Sequence, residues 1–222
     1  VTTQRLRVAV LASGRGSNLQ ALIAARDAGQ LPIDFVVVGS DKAHAGALQL
    51  AKDAGISTFT LDPKAFAKRR DFDFELFRQL DASGAQVLVL AGFMRIIDGE
   101  ALAPWVGRMI NIHPSLLPKY RGLHTHRRAL EAGDAEHGAS VHYVTAELDG
   151  GPVIAQARIT IQPGDDEHQL AQRLLAYEHQ LLPAVLTLMA DQRLDLIAPD
   201  RVALDGTLIS APLQLRNGTL VD

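Results

Sequence analysis

The chain has 222 residues, 47% of them hydrophobic and none of them cysteine, and its 22 Lys and Arg stand against 25 Asp and Glu for a formal net charge of -3. That length supports one sizeable hydrophobic core and no second large domain. The missing thiols exclude disulfides, thiolate catalysis and cysteine-ligated zinc, while the near balance of charge, without a long basic run, argues against nucleic-acid binding through many phosphates and leaves room for one small anion.

Val1 through Arg7 lead directly into the apolar run Val8 to Ala12, which is too short to span a bilayer; no signal peptide or transmembrane segment is visible, and a start on valine suggests a trimmed or processed terminus. Arg7 to Ala12 reads as a strand, Asn18 to Ala28 as a helix stopped by Gly29, and Asp34 to Ser40 as a β-branched strand. A helix over Ala43 to Ala54 ends at Gly55, a short strand covers Thr58 to Leu61, and Arg70 to Ser83 is helical. Val87 to Ala91 is apolar throughout, as a strand covered on both faces requires, and Met109 to His113 is another strand. This alternation reads as βαβ units around a mostly parallel sheet.

The second half changes character. Ser140 to Glu147 and Pro152 to Ile161 are strand candidates joined by Asp149-Gly150-Gly151, a connection short enough to make them antiparallel. Glu167 to Ala190 is a long helix, expected to bend or break near Pro183. Two short strands around Asp205-Gly206 and the Arg216-Asn217-Gly218 turn form a tail expected to cover an edge or face of the sheet.

Three regions carry chemistry. Ser13-Gly14-Arg15-Gly16-Ser17-Asn18 stands between the first strand and the first helix, where glycines allow close backbone approach and helix-start amides attract a phosphate. It lacks the third glycine of a dinucleotide fingerprint, whose place is taken by Leu19, and it has no P-loop lysine. The readings are a βα turn with a helix cap, or an anion loop suited to a monophosphate.

In Asn111-Ile112-His113-Pro114-Ser115, alternation puts Asn111 and His113 on one side of the strand end. An amide donor and an imidazole there could stabilise a developing oxyanion and exchange protons; the alternative is a histidine that only anchors the loop. Asp149 is either a turn aspartate or a carboxylate that a glycine-rich loop brings to His113, raising the imidazole pKa.

Together with Ala91-Gly92-Phe93-Met94-Arg95-Ile96, Asn111 through Tyr120, His137-Gly138-Ala139-Ser140-Val141-His142 and Glu147 through Val153, these regions resemble the folate-dependent formyltransferase family, in particular its members that act on glycinamide ribonucleotide. The resemblance runs from the first strand to the helix holding Glu178. It implies a Rossmann-like α/β fold with a mostly parallel central sheet, helices on both faces and antiparallel strands toward the C-terminal half. Residues 1–222 would then be a single formyltransferase domain, with 191–222 an extension packed on it.

The implied activity is transfer of the formyl group of 10-formyltetrahydrofolate, a cosubstrate, to the amine of 5-phosphoribosylglycinamide, with no metal. Asn111 and His113 are implied to hold the oxyanion and Asp149 to assist proton transfer; Gly16, Ser17 and Asn18 to meet the phosphate and Glu178 the ribose. Arg69, Phe93, Met94, Arg95, Ile96, Ile97 and Asn111 are implied to meet the folate, with Arg70 competing with Arg69 for its glutamate tail and core packing the other reading of Phe93 and Met94. The family match gives His124 and His126 no metal, and makes His137 an active-site neighbour. Arg121 stands at a loop position that varies in the family.

A cytoplasmic enzyme of purine synthesis follows, monomer or weak homodimer, without nucleic-acid or membrane partners. The competing readings are a formyltetrahydrofolate hydrolase, whose family usually adds an N-terminal regulatory domain; a methionyl-tRNA formyltransferase, which needs a C-terminal domain larger than 191–222; and a noncatalytic folate or phosphate binding module.

Overall fold

The computed structural model describes residues 5–198 and 200–222, so the reading of residues 1–4 lies outside the described residues. The chain divides into two compact units, one ending at Asn111 and the other starting at Ile112.

In the first unit, β1 (Leu6–Leu11), β2 (Ile33–Ser40), β3 (Thr58–Thr60), β4 (Val87–Leu90) and the start of β5 (Met109–His113) form a wholly parallel sheet in the order β5-β4-β1-β2-β3. Crossovers run through α1 (Ser17–Asp27), α2 (Gly46–Asp53) and α3 (Arg69–Ala82). All four residues of β4 and the last four of β1 are buried. These strands have no polar alternation because neither face meets water.

The short helix α4 (Gly99–Leu102) escapes the periodicity reading because it is a single turn, started by the Asp98 carboxylate, which accepts the amides of Glu100 and Ala101.

In the second unit, α5 (Thr125–Glu131) precedes β6 (Glu136–Tyr143) and β7 (Val153–Thr160), which pair antiparallel. The sequence has no amphipathic signal for α5, since Thr125 and Ala129 are its only buried residues. β6 begins four residues before the expected Ser140 and ends before Glu147, because Glu136 to Ala139 pair with Thr160 to Ala157. Gly138 permits this: a Cβ there would stand 2.1 Å from the Ala157 carbonyl oxygen.

α6 (Glu167–Ala190) starts in a capping box of Asp166 and Gln169 and continues through Pro183 without interruption, so of the expected bend or break the break does not occur. Pro183 forfeits a helical hydrogen bond, but Leu181, Leu182, Val185, Leu186 and Met189 on either side are buried and hold the helix together.

The tail forms two pieces. β8 (Leu194–Ala198), β9 (Arg201–Leu204) and β10 (Thr207–Leu208) make a separate antiparallel sheet, while β11 (Leu213–Arg216) adds parallel to β7 and β12 (Thr219–Val221) closes antiparallel on β11. The tail thus extends the sheet edge of its own unit. Among the described residues no helix is long and apolar enough to cross a membrane.

Candidate active site

In the first unit the loop after β1 is shaped by the main chain. Ser13 N–H donates to the Gly92 carbonyl at 3.0 Å and Ala47 N–H to the Gly14 carbonyl at 3.1 Å. Gly16 has φ 85°, and a Cβ on it would lie 2.8 Å from Ala47, so glycine is required twice over. Gly16 is also the N-cap of α1 and has no side chain with which to cap it. With glycine at the N-cap, that position itself supplies no side-chain acceptor to the first-turn amides at the positive end of the helix dipole.

The segment after β4 is tied to the same loop. Ser13 Oγ accepts the Met94 amide at 3.0 Å and donates to Asp41 Oδ1 at 2.6 Å. Side chains then alternate: Phe93 and Ile97 are buried, whereas Met94 and Ile96 are 66% and 52% exposed. Phe93 and Ile97 pack into the core, whereas Met94 and Ile96 leave apolar side chains at the surface.

The Arg95 guanidinium lies 4.6 Å from the Phe72 ring centroid. Asp73, fully buried on α3, accepts the Asp98 amide at 2.9 Å and anchors the far end of the segment. Burial pushes its carboxyl above the usual 3.8, against the opposing pull of the Asp98 amide, Arg69 and Arg95. Arg69 Nε is 3.9 Å from Asp73, whereas Arg70 pairs with Glu100 and covers the Phe74 ring.

In the second unit the strand end that holds His113 turns sharply, with the Ser115 amide donating to the His113 carbonyl at 2.9 Å. The loop beyond it, with a cis Leu117-Pro118 bond, is pinned from behind by β6 and β7. Ser140 Oγ donates to the Ser115 carbonyl at 2.7 Å and accepts the Leu117 amide at 3.1 Å, and Gln156 donates to the Leu117 carbonyl at 2.9 Å.

This pinning presents the Tyr120 carbonyl to His113 Nε2 at 2.9 Å. A carbonyl can only accept, so Nε2 carries a proton and the other ring nitrogen, Nδ1, faces Asp149 Oδ2 at 3.5 Å. Asp149 sits at φ 46° and its Oδ2 accepts the Gly122 amide at 2.9 Å. Its other oxygen faces Nε2 of the buried His142 at 3.6 Å, while His142 Nδ1 donates to the Tyr143 carbonyl at 2.8 Å. The bland reading of Asp149 as a turn residue that only bonds nearby amides does not describe this arrangement.

Burial holds His113 below the usual 6.5, outweighing the upward effects of the Tyr120 carbonyl and Asp149; His142 and Arg128 add to the depression. Asp149 does raise the imidazole pKa, as expected, but the net direction is down. For Asp149 itself burial acts upward, yet the His142 hydrogen bond, the Gly122 amide and the charges of His113 and His142 hold the carboxyl below 3.8. A buried, neutral imidazole beside an ionised carboxylate can take up a proton and have the resulting charge stabilised at once.

Behind this group, His126 Nδ1 and His137 Nε2 meet at 2.9 Å. Burial, then the neighbouring His126, lowers His137 to about 4. His126 thus pairs with His137 rather than with His124, and among the described residues no group of three or more His, Cys, Asp or Glu could hold a metal. Glu178 on α6 is buried, not the surface carboxylate that its helical setting would suggest.

The second unit therefore brings His113 and Asp149 together, and the first unit brings the Gly16 loop next to Met94 and Arg69 next to the end of the Phe93–Ile97 segment. Asn111, half-buried two residues before His113 on β5, leaves the strand on the same side. Sequence reasoning missed the roles of Ser13, Asp73 and His142. Ser13 and His142 stood inside recognisable motifs without a role, and Asp73 had no local signal because its partner amide is 25 residues away.

A family model described as formyl transferase matches residues 6–186. The chain is 50% identical over 189 residues to the phosphoribosylglycinamide formyltransferase of Escherichia coli K12, covering 85% of this chain and 89% of that one. It is 47% identical over 193 residues to the trifunctional purine biosynthetic protein adenosine-3 of Drosophila melanogaster, covering 86% of this chain and 14% of that protein. The solved phosphoribosylglycinamide formyltransferase of Coxiella burnetii superposes with a TM-score of 0.89 at 46% identity, over 93% of this chain and 97% of that one. Glycinamide ribonucleotide transformylase 1 of Symbiobacterium toebii gives 0.87 at 38%, over 92% and 99%. With the α/β fold, the motifs and the paired His113 and Asp149 in place, these likenesses make the chain a member of the formyl transferase family, among the phosphoribosylglycinamide formyltransferases.

Proposed function

We propose that this enzyme transfers the formyl group of 10-formyltetrahydrofolate to the amine of 5-phosphoribosylglycinamide, giving formylglycinamide ribonucleotide and tetrahydrofolate. The observation that carries the reading is the imidazole of His113, fixed at Nε2 by the Tyr120 carbonyl and opposed at Nδ1 by Asp149.

In this reading the acceptor amine attacks the formyl carbon, and the oxygen that becomes negative is held by the Asn111 amide and by His113. Nδ1 is the working nitrogen, since Nε2 is engaged by Tyr120. The proton leaving the attacking amine goes to Nδ1, making an imidazolium that Asp149 stabilises and that can then donate to the negative oxygen; as the bond between the formyl carbon and the folate nitrogen breaks, that proton passes on to the departing nitrogen. The nucleophile belongs to the substrate, so no covalent enzyme intermediate is needed.

Gly16, Ser17 and Asn18 are assigned to the phosphate, supported by the glycine N-cap that lets the main chain approach at the start of α1, and buried Glu178 to the ribose hydroxyls. Met94 and Ile96 supply exposed apolar surface for the folate, Phe93, Arg95 and Ile97 shape that segment, and Arg69 is favoured over Arg70 for the glutamate tail because Arg70 is paired with Glu100. The reading places the enzyme in the cytoplasm as a monomer or weak homodimer, with residues 1–222 as one functional domain and no metal, nucleic-acid or membrane partner.

The test is product analysis from 10-formyltetrahydrofolate with purified protein, with and without 5-phosphoribosylglycinamide. Acceptor-dependent formylated product is expected. Free formate formed equally well without acceptor replaces the reading with a hydrolase.

A further inference from the structure

Both groups that face His113 stand next to one residue pair. Arg121 lies between Tyr120, whose carbonyl takes His113 Nε2–H, and Gly122, whose amide donates to Asp149. Glu147 lies two residues before Asp149, and its carboxylate pairs with the Arg121 guanidinium.

Each partner is also held in its own loop. The Arg121 carbonyl accepts from Arg128 Nη1 at 2.7 Å. The Glu147 side chain folds back so closely over Gly150 that a Cβ on Gly150 would stand 2.4 Å from its carboxyl carbon, and the Glu147 carbonyl accepts the Gly150 amide at 3.1 Å. The pair therefore joins the 119–122 loop to the 145–151 loop at the point where the two loops frame the imidazole.

We propose that Arg121 and Glu147 form a latch that sets the position of Asp149 against His113 during turnover. They are positioning residues: neither touches His113, and they act through Tyr120, Gly122 and Asp149. The proposal rests on the reading of His113 and Asp149 as catalytic. Because both side chains are substantially exposed, the pair contributes little to global stability; its effect is on geometry, where a displacement of about 1 Å costs up to about 100-fold in rate.

The experiment measures kcat, acceptor KM and Tm for R121A, E147A, the double variant and the charge-swapped pair R121E/E147R, with H113A as control. The latch lowers kcat about 5- to 10-fold in each single variant, with acceptor KM and Tm unchanged, a double variant no worse than either single, and kcat recovered to within about twofold in the swap. Wild-type kcat falls as salt is raised and that of R121A does not.

Single variants with wild-type kcat, or losses that add in the double and are not recovered by the swap, overturn the latch. The control separates the two levels of the claim: H113A with near-normal turnover removes the catalytic reading itself, whereas an inactive H113A beside a normal R121A removes only the latch.

Discussion

The loop around Gly16 in the first unit is shaped mainly by main-chain geometry, whereas the centre of the second unit's site is a group of side chains that titrate. Around Gly16 and Met94 the contacts are amide to carbonyl, amide to a Ser13 hydroxyl that itself donates to the Asp41 carboxylate, and a glycine whose φ and lack of Cβ are both used. Around His113 they are two imidazoles, a carboxylate and the Tyr120 carbonyl that selects which nitrogen carries a proton. A rigid backbone cradle suits recognition of a fixed anion, because its dipoles do not change with pH. A buried titratable cluster suits a step in which charge moves. The division predicts that changes in the first region act on KM and changes around His113 on kcat.

The largest effect is expected from His113→Ala: a fall in kcat of about 100- to 10,000-fold, with both substrates still binding by calorimetry. Near-normal turnover in the purified variant would erase the contrast between the two regions. Asp149→Asn follows, with a loss of about 100-fold and an altered pH profile. Asp149 raises His113, so removing its charge moves the acid limb of kcat/KM to lower pH; an unmoved limb would dissociate the carboxylate from the imidazole.

His137 sharpens the titrating side of the comparison. Its folded value of about 4 lies below the ordinary 6.5, so the unfolded chain binds the extra proton between those values. The stability this contributes is complete above about 6.5 and is lost as pH falls toward 4, a change on the order of 3 kcal/mol at about 1.4 kcal/mol per pH unit. Denaturant titrations of wild type and His137→Gln across that window should show a shallower acid slope in the variant.

Two smaller effects probe binding. Gly16→Ala forces a strained φ and a contact with Ala47, at a cost of about 1–3 kcal/mol, and should raise acceptor KM more than it lowers kcat; the reverse split would break the division of labour. Glu178→Ala should weaken acceptor affinity by about 10-fold, and an unchanged calorimetric affinity would remove Glu178 from the acceptor site.

Several elements are legible in the sequence alone. Met109–His113 and Glu167–Ala190 have the expected limits, because a short run closed by Pro114 and a long 3.6-residue period are strong local signals. α5 is not legible, since two buried residues in a single short helix leave no period to detect. In the site, Asn111 and His113 can be put on one side of a strand by alternation alone. The partnership of His113 with Asp149 stays one of two open readings at the level of sequence, because they lie 36 positions apart across loop, helix and strand and only packing brings them to 3.5 Å.

By itself the sequence determined which residue types stand at the ends of which strands, and through its ordered motifs the family; both are local properties, written in periodicity and in glycines and prolines that admit few backbone states. Tertiary structure alone decided that Ser13 joins two loops, that buried Asp73 anchors a segment from another element, that Arg70 is engaged elsewhere, and that His142 shares Asp149 with His113. It also decided the sign of the His113 shift, since desolvation depends on how many atoms surround the ring and no spacing along the chain encodes that number.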